Sequence, residues 1–257
     1  MRDDLSTFED LIVGVDGRPG GRDAIALAKR LVAPSGRITL VHIYRSDSML
    51  GRGATPLERQ EAEALVSRER ETADLDADVV IHGDISAGGG LLSVAEQKAA
   101  DLVVVGSCHR GPLGRLLLGN DARRVVNAAR CAVALAPRGY AISSKPLAKI
   151  GVAYDGSLES ELALQVAGSL VTRNRAVLQP LGRHIKELAR FSTELDLLVV
   201  GSRTPSPTER LLTPAPPPDY SEWHSACPLL VLHWPARKDD DRDAALRPTD
   251  HSLATQR

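Results

Sequence analysis

One stretch of sequence occurs twice in this 257-residue chain. The segment DLVVVGSCHRGPLGRLLLGN at Asp101–Asn120 returns as DLLVVGSRTPSPTERLLTPA at Asp196–Ala215. Each copy is an apolar run that ends in Gly-Ser and continues into a loop. Each also follows a second shared run, LIVGVDG at Leu11–Gly17 or IGVAYDG at Ile150–Gly156. Such self-similarity predicts two copies of one structural unit.

Apolar runs alternate with amphipathic segments along both copies, which predicts strands alternating with helices. In the first unit we predict strands at Leu11–Val15, Arg37–Tyr44, Val79–His82, Asp101–Gly106 and Ala132–Ala136. The helices between them are predicted at Gly20–Val32, Pro56–Leu75, Leu91–Ala99 and Asp121–Ala129. The second unit begins with a strand at Lys149–Tyr154 and a helix at Leu158–Val171. This alternation predicts an α/β fold, with doubly wound parallel sheets and right-handed crossovers.

The two units differ in length. Ninety positions separate Asp16 from Gly106, but 46 separate Asp155 from Gly201, so the second unit is 44 residues shorter. By chain order, we expect this loss to remove the second strand, the second helix and the third strand. We predict domains at residues 8–138 and 148–236, a linker at 139–147, and a charged, disordered tail at 237–257.

Composition narrows the classes of protein. The formal net charge of −1 argues against a nucleic-acid binder, which would present a basic face. The three cysteines follow no metal or disulfide spacing, so we expect a reducing, cytoplasmic setting. The acidic start MRDDLSTFED has no apolar core, and no apolar run is long enough for a membrane span. We therefore expect neither a signal peptide nor a membrane partner.

The ordered set LIVGVDG, LVHIY, DLVVVGS, GPLGRLLLGN and RCAVALAP resembles the universal stress protein family. The resemblance covers Asp10–Pro137 and, in eroded form, Lys149–Trp234. It implies a Rossmann-like, adenine nucleotide alpha hydrolase-like fold, with five parallel strands in the first unit and a truncated second unit. It also implies a cytoplasmic stress-response regulator that forms dimers or carries two copies of the unit in tandem. Little enzymatic activity is expected of it. An electron-transfer flavoprotein-like domain of the same group is the alternative fold.

Ligands of open α/β sheets bind at the carboxyl ends of the strands. We therefore expect a nucleotide site where the first, second and fourth strands of the first unit end. The helix that follows the repeated loop adds N–H groups suited to phosphate, and Asn120 is expected to cap it. The candidate nucleotide-binding residues are Asp16, Gly17, Ile43, Gly106, Ser107, His109, Arg110, Gly119, Asn120 and Asp121.

The loop departs from the family pattern. ATP-binding members read G-x-x-G, nine residues, then Gly with Ser or Thr. Here His109 stands at the middle glycine and Asn120 at the hydroxyl residue. Asp121 adds negative charge near the expected phosphates, which Arg110 and Arg115 would compensate. The resemblance implies that the ligand is ATP or a related adenine nucleotide, bound together with Mg²⁺. It implies no enzymatic activity beyond slow ATP hydrolysis. We assign no catalytic residue and no protein metal site.

The second unit is expected to bind no nucleotide. Its loop carries Pro214 and the run TPAPPP, which removes N–H groups that would hold phosphate. We expect it to pair with the first unit through the last strands, as family dimers do, giving a pseudo-dimer. A homodimer and a further protein partner stay open. The alternative function is an interaction module that binds no nucleotide.

Several residues also have simpler interpretations. Asp16 and Asp155 would cap the turns between strand and helix. Cys131 and Cys227, at equivalent places before the last strands, favour buried packing. Cys108 lies in the ligand loop, and for this cysteine a redox role is the alternative to a structural one.

Overall fold

The computed structural model describes residues 8–46, 55–108, 113–143, 145–182, 185–203 and 225–234. The strands are Phe8–Gly14 (β1), Val32–Arg45 (β2), Asp78–Asp84 (β3), Leu102–Gly106 (β4), Ala132–Ala136 (β5), Lys149–Ala153 (β6), Val177–Leu181 (β7), Leu197–Arg203 (β8) and Leu229–Trp234 (β9). The helices are Pro19–Leu31 (α1), Pro56–Thr72 (α2), Ala87–Gln97 (α3), Asn120–Ala128 (α4), Tyr140–Ser143 (α5), Leu158–Asn174 (α6) and Ile185–Phe191 (α7). A 3₁₀ turn follows at Ser192–Glu194. The predicted tail at 237–257 lies outside the described residues.

The described strands form one nine-stranded sheet in the order β3-β2-β1-β4-β5-β9-β8-β6-β7. All neighbours pair in parallel except β5 and β9, which are antiparallel with Val133 opposite Val231 and Leu135 opposite Leu229. The sheet therefore consists of two parallel blocks whose strands run in opposite directions. The first block holds β1 to β5, the second holds β6 to β9, and they meet at the β5–β9 pair. The predicted α/β, Rossmann-like class is confirmed.

The expectation that the second unit lacks its second strand is wrong. Strand β7 pairs in parallel with β6, with Gly151 opposite Gln179, on the same side on which β2 flanks β1. The sequence VLQPL does not predict a strand, because its glutamine and proline interrupt the apolar run. Proline is tolerated in a sheet mainly at an edge, where β7 lies. Within the described residues, the second block has no counterpart of α2 or β3, and the place of α4 falls in residues 204–224, outside the described part of the chain.

Apolar side chains cover both faces of the sheet and continue across the β5–β9 pair. One layer packs Leu11, Leu102 and Ile150 against α1 and α6. The other packs Ile12 and Val103 against α3 and α4. This alternation along each strand follows from the two-residue period of a pleated sheet. Each fully buried Leu or Ile stabilises the fold by about 1.5–3 kcal/mol.

The predicted linker is folded rather than extended. The buried carboxylate of Asp23 on α1 accepts hydrogen bonds from the N–H groups of Gly139 and Ala141, both at 2.8 Å. These groups begin the short helix α5, whose Tyr140 is buried. Burial raises the pKa of Asp23, while these two N–H groups and the Arg138 charge act in the opposite direction.

Arginine 173 joins the two blocks on the same face. Its guanidinium donates to the carbonyl oxygens of Arg30, Leu31 and Val32 at 2.8, 2.9 and 3.2 Å. These carbonyls lie at the end of α1, where backbone acceptors have no partner within the helix. A side chain of α6 therefore caps the first helix of the chain. No helix among the described residues is long and apolar enough to cross a membrane.

Candidate nucleotide site

A cavity of about 320 Å³ lies at the carboxyl ends of β1, β2 and β4. The N-termini of α1, α3 and α4 surround it, as expected for an open α/β sheet. The lining residues are Gly14, Val15, Asp16, Arg18, Gly20, Gly21, Ile43, Ala87, Leu91, Val105, Gly106, Ser107, Cys108, Gly119, Asn120, Asp121 and Ala122. Seven of the ten predicted site residues are among them. Gly17 lies beside Asp16 in the turn, and His109 and Arg110 fall outside the described residues.

Asp16 forms the turn between β1 and α1 and also lines the cavity. Its Oδ1 accepts a 3.1 Å hydrogen bond from the N–H of Arg18, and its side chain is about half exposed. Gly17 has φ +73°, a conformation that favours glycine. The second block repeats the turn, because the N–H of Ser157 donates to Asp155 Oδ1 at 3.1 Å and Gly156 has φ +80°. Turn formation therefore accounts for both aspartates, and of the two only Asp16 lines this cavity.

Glycine 106 is required by helix packing. A Cβ at this position would lie 2.0 Å from the carbonyl oxygen of Gly20, at the start of α1. At Gly201, the counterpart in the second block, a Cβ would lie 2.0 Å from the carbonyl oxygen of Glu159. The repeated glycine thus lets the first helix of each block approach the end of β4 or β8.

Ser107 holds the loop that follows β4. Its hydroxyl accepts from the N–H of Leu117 at 2.7 Å and donates to the carbonyl of Leu117 at 3.0 Å. The N–H of Leu116 donates to the carbonyl of Ser225 at 2.7 Å, so this loop is also fixed to the chain before β9. The hydroxyl that we predicted as a ligand contact is therefore engaged within the loop.

The helix after the loop begins one residue earlier than predicted. Gly119 is its N-cap, with extended φ and ψ and no side-chain cap, and Asn120 is the first helical residue. The expectation that Asn120 caps α4 is therefore wrong. Arg115 is exposed and is not among the described residues that line the cavity, so its expected compensation of Asp121 is not seen there.

Helix α3 contributes a wall of the cavity that the sequence reasoning missed. Ala87 and Leu91 line it, and Leu91 approaches Gly14 of β1. A Cβ on Gly90 would lie 2.8 Å from Ile43, so the glycines after Ser86 bring this helix close to the end of β2. The run AGGG at residues 87–90 was the available signal.

The remaining titratable groups do not extend the site. Burial raises the pKa of the Cys131 and Cys227 thiols to about 11 and about 12, which favours packing over reactivity. Cys108 lines the cavity. The ring Nδ1 of His42 lies 2.9 Å from the carbonyl oxygen of Val15, so this crevice histidine has a partner. Among the described residues, no group of three or more His, Cys, Asp or Glu side chains is placed to hold a metal ion.

Comparison with known proteins agrees with this architecture. The model of the universal stress protein family matches residues 7–137, half of the chain. The chain belongs to the universal stress protein family. A universal stress protein of Thermus aquaticus is 30% identical over 141 residues, which cover 50% of this chain and 98% of that protein.

Other relatives share less of their length or sequence with this universal stress protein. A universal stress protein of Mycobacterium tuberculosis is 32% identical over 92 residues, but these span only 31% of the mycobacterial protein. A crystal structure of a universal stress protein from Archaeoglobus fulgidus matches 88% of this chain and 97% of its own, with a TM-score of 0.60 and 15% identity. A putative universal stress protein of Pseudomonas aeruginosa matches 90% of this chain and 95% of its own, with a TM-score of 0.64 and 13% identity. At these identities the structural matches show the fold.

Proposed function

We propose that this universal stress protein is a stress-response regulator that binds an adenine nucleotide in the cavity of its first block. The observation that carries the proposal is the cavity at the ends of β1, β2 and β4, which gathers seven of the ten candidate residues. Its volume of about 320 Å³ lies at the lower end of the range for small-ligand sites. In this proposal, occupancy of the cavity by the nucleotide is what regulates the protein.

The lining divides into an apolar wall and a polar end. Ile43, Leu91 and Val105 supply apolar surface that would pack against the adenine base. Asp16 supplies a carboxylate that accepts hydrogen bonds from ribose hydroxyls or the adenine amino group. Gly119, the N-cap of α4, and Asn120, its first residue, line the same cavity, and the free N–H groups of a helix start favour a phosphate oxygen.

We further propose that residues 148–236 are a reduced second copy of the unit at 8–138, joined through 139–147. Several hydrogen bonds recur in both copies. Asp101 accepts from the N–H groups of Glu9 and Asp10, and Asp196 accepts from those of Ala148 and Lys149. The antiparallel β5–β9 pair then acts as the interface of a pseudo-dimer.

The second copy is proposed to bind no nucleotide. It has no counterpart of α2 or β3 among the described residues, and the loop equivalent to the one after β4 falls in residues 204–224, outside them. In sequence, that loop replaces the Gly119-Asn120 pair by Pro214-Ala215 and continues with prolines. Prolines lack the N–H groups that hold phosphate.

Two observations favour the alternative function, an interaction module that binds no nucleotide. The Ser107 hydroxyl is engaged by Leu117, and Asp121 presents a carboxylate at the phosphate end of the cavity. A protein of this kind would use the same fold to contact a partner with the cavity empty. Direct measurement of adenine binding separates the two functions.

The test is calorimetric titration of adenosine into the full chain and into Asp16→Ala and Asp155→Ala. Both substitutions remove an aspartate that holds the same kind of turn, but only Asp16 lines the cavity. We expect binding by the full chain, at least tenfold weaker binding by Asp16→Ala, and unchanged binding by Asp155→Ala. Absence of binding at millimolar adenosine, or equal losses in both variants, would overturn the proposal.

A further inference from the structure

The N-termini of two helices meet at a single carboxylate in the cavity. Asp121 lies in the first turn of α4, and its Oδ1 accepts a 3.0 Å hydrogen bond from the N–H of Gly88 in the first turn of α3. The neighbouring N–H of Gly89 is taken by the hydroxyl of Ser86 at 3.1 Å. Asp121 therefore joins two helix starts that are separated by 33 positions in the chain.

Close backbone packing holds this carboxylate in place. A Cβ on Gly88 would lie 2.8 Å from the carbonyl oxygen of Asp121 and 3.2 Å from its Cα. Only a glycine lets the two helices approach so closely. The carboxylate is consequently a built feature of the cavity wall, with its acceptor oxygen directed to α3.

The position of Asp121 changes the electrostatics of the phosphate end. A helix N-terminus carries a partial positive charge and attracts anions, including phosphate. Here α3 and α4 share an anion that belongs to the chain itself. A bound phosphate at the start of α4 would lie near this carboxylate and would be repelled by it.

The other described charges of the cavity do not compensate. The charged side chains among its described lining residues are Asp16, Arg18 and Asp121, two carboxylates and one guanidinium. The Arg18 guanidinium lies 3.8 Å from the Asp16 carboxylate. These residues together leave the described part of the wall with net negative charge.

We infer that the cavity selects adenosine or adenosine monophosphate over ATP, and that Asp121 determines this preference. The inference rests on the proposed function, because it concerns the ligand class of the same cavity. Affinity should fall as phosphates are added, since each adds negative charge near Asp121. The penalty is electrostatic, so it should shrink as salt screens the interaction.

The test is calorimetric titration of adenosine, AMP and ATP, without Mg²⁺, into the full chain, Asp121→Asn and Glu58→Gln. The amide oxygen of Asn keeps an acceptor for Gly88 N–H, so Asp121→Asn removes the charge and keeps the bond. Glu58→Gln removes the same charge from the first turn of α2, and Glu58 is not among the described residues that line the cavity. Each titration is run at 20 mM and at 500 mM NaCl.

We expect the full chain and Glu58→Gln to bind ATP at least tenfold more weakly than adenosine at low salt. Asp121→Asn should bind ATP at least tenfold more tightly than the full chain, with adenosine affinity changed less than twofold. High salt should reduce the ATP penalty of the full chain. ATP binding as tight as adenosine binding, or an ATP affinity unchanged in Asp121→Asn, would overturn the inference and leave the proposed function standing. If neither the full chain nor either variant binds adenosine, the proposed function fails and the inference fails with it.

Discussion

The N–H of Leu116 donates a 2.7 Å hydrogen bond to the carbonyl oxygen of Ser225, which joins the cavity loop of the first block to the second block. Leu116 is fully buried, and Ser225 is fully buried beside Cys227. The loop after β4 is therefore hydrogen-bonded both to Ser107 in the first block and to Ser225 in the second block. This contact gives the second block a structural role in shaping the site of the first.

Loss of the Ser225 hydroxyl should loosen this contact. The hydroxyl accepts from the N–H of Cys227 at 3.3 Å and donates to its carbonyl at 2.9 Å, which fixes the turn that presents the Ser225 carbonyl. Ser225→Ala is expected to lower the free energy of unfolding by about 1–3 kcal/mol and to speed amide hydrogen exchange at Leu116. Urea unfolding and exchange measured by NMR check both effects. Ser169→Ala, at a partly exposed serine of α6, is the control and should change neither.

The close approach at Gly106 and Gly201 predicts severe effects of a single methyl group. Gly106→Ala and Gly201→Ala place a Cβ 2.0 Å from a backbone carbonyl, which no side-chain movement can relieve. Each should lower the free energy of unfolding by about 3 kcal/mol or more. Gly168→Ala in α6 meets open space and should instead raise it by about 0.5–1 kcal/mol. Equal effects of the three substitutions in urea unfolding would contradict the packing at these glycines.

Much of the order of strands and helices could be predicted from the sequence. The repeated apolar run that ends in Gly-Ser located β4 and β8, although β8 continues to Arg203. Apolar runs and amphipathic periodicity located the other strands and helices of the first unit, and the largest boundary error is at β2, which starts at Val32 rather than at Arg37. Strand β7 escaped because Gln179 and Pro180 break the apolar pattern of an edge strand. The Asp121–Gly88 bond joins residues 33 positions apart, so it depends on how α3 and α4 pack. Side-chain partners of this kind are set by tertiary structure, which a local pattern does not encode.

Arg173 should stabilise the contact between the blocks. Its three bonds satisfy carbonyl oxygens at the end of α1, and burial lowers the pKa of its guanidinium. Arg173→Met is expected to lower the free energy of unfolding by about 1.5–3 kcal/mol, because charged donors are lost from three acceptors. Arg130→Met removes an exposed arginine paired with Glu96 and should cost about 0.5 kcal/mol or less. A cost no larger than that of Arg130→Met would show that the cap contributes nothing.

His233 on β9 should make stability depend on pH. Neither of its ring nitrogens has a hydrogen-bond partner among the described residues, and burial lowers its pKa to about 4. Above pH 6.5 neither the folded nor the unfolded chain protonates this histidine. Between pH 6.5 and 4 the unfolded chain alone binds the proton, so stability falls on acidification.

The matched variant is His233→Leu, which removes the titrating group and retains the carboxylates common to both proteins. Relative to this variant, the full chain should lose up to about 2 kcal/mol of unfolding free energy between pH 7 and pH 5. Urea unfolding at the two pH values measures the difference. A constant difference between the two proteins would show that His233 titrates alike in the folded and unfolded chain.

The central claim is that one block of this chain holds an adenine ligand, and amide chemical shifts in a ¹⁵N NMR titration with adenosine test it most directly. The account predicts saturable shifts at Ile43, Gly106 and Gly119, which line the cavity, and unchanged signals at Gly156 and Gly201 of the second block. Shifts confined to the second block, or none at millimolar adenosine, would contradict it.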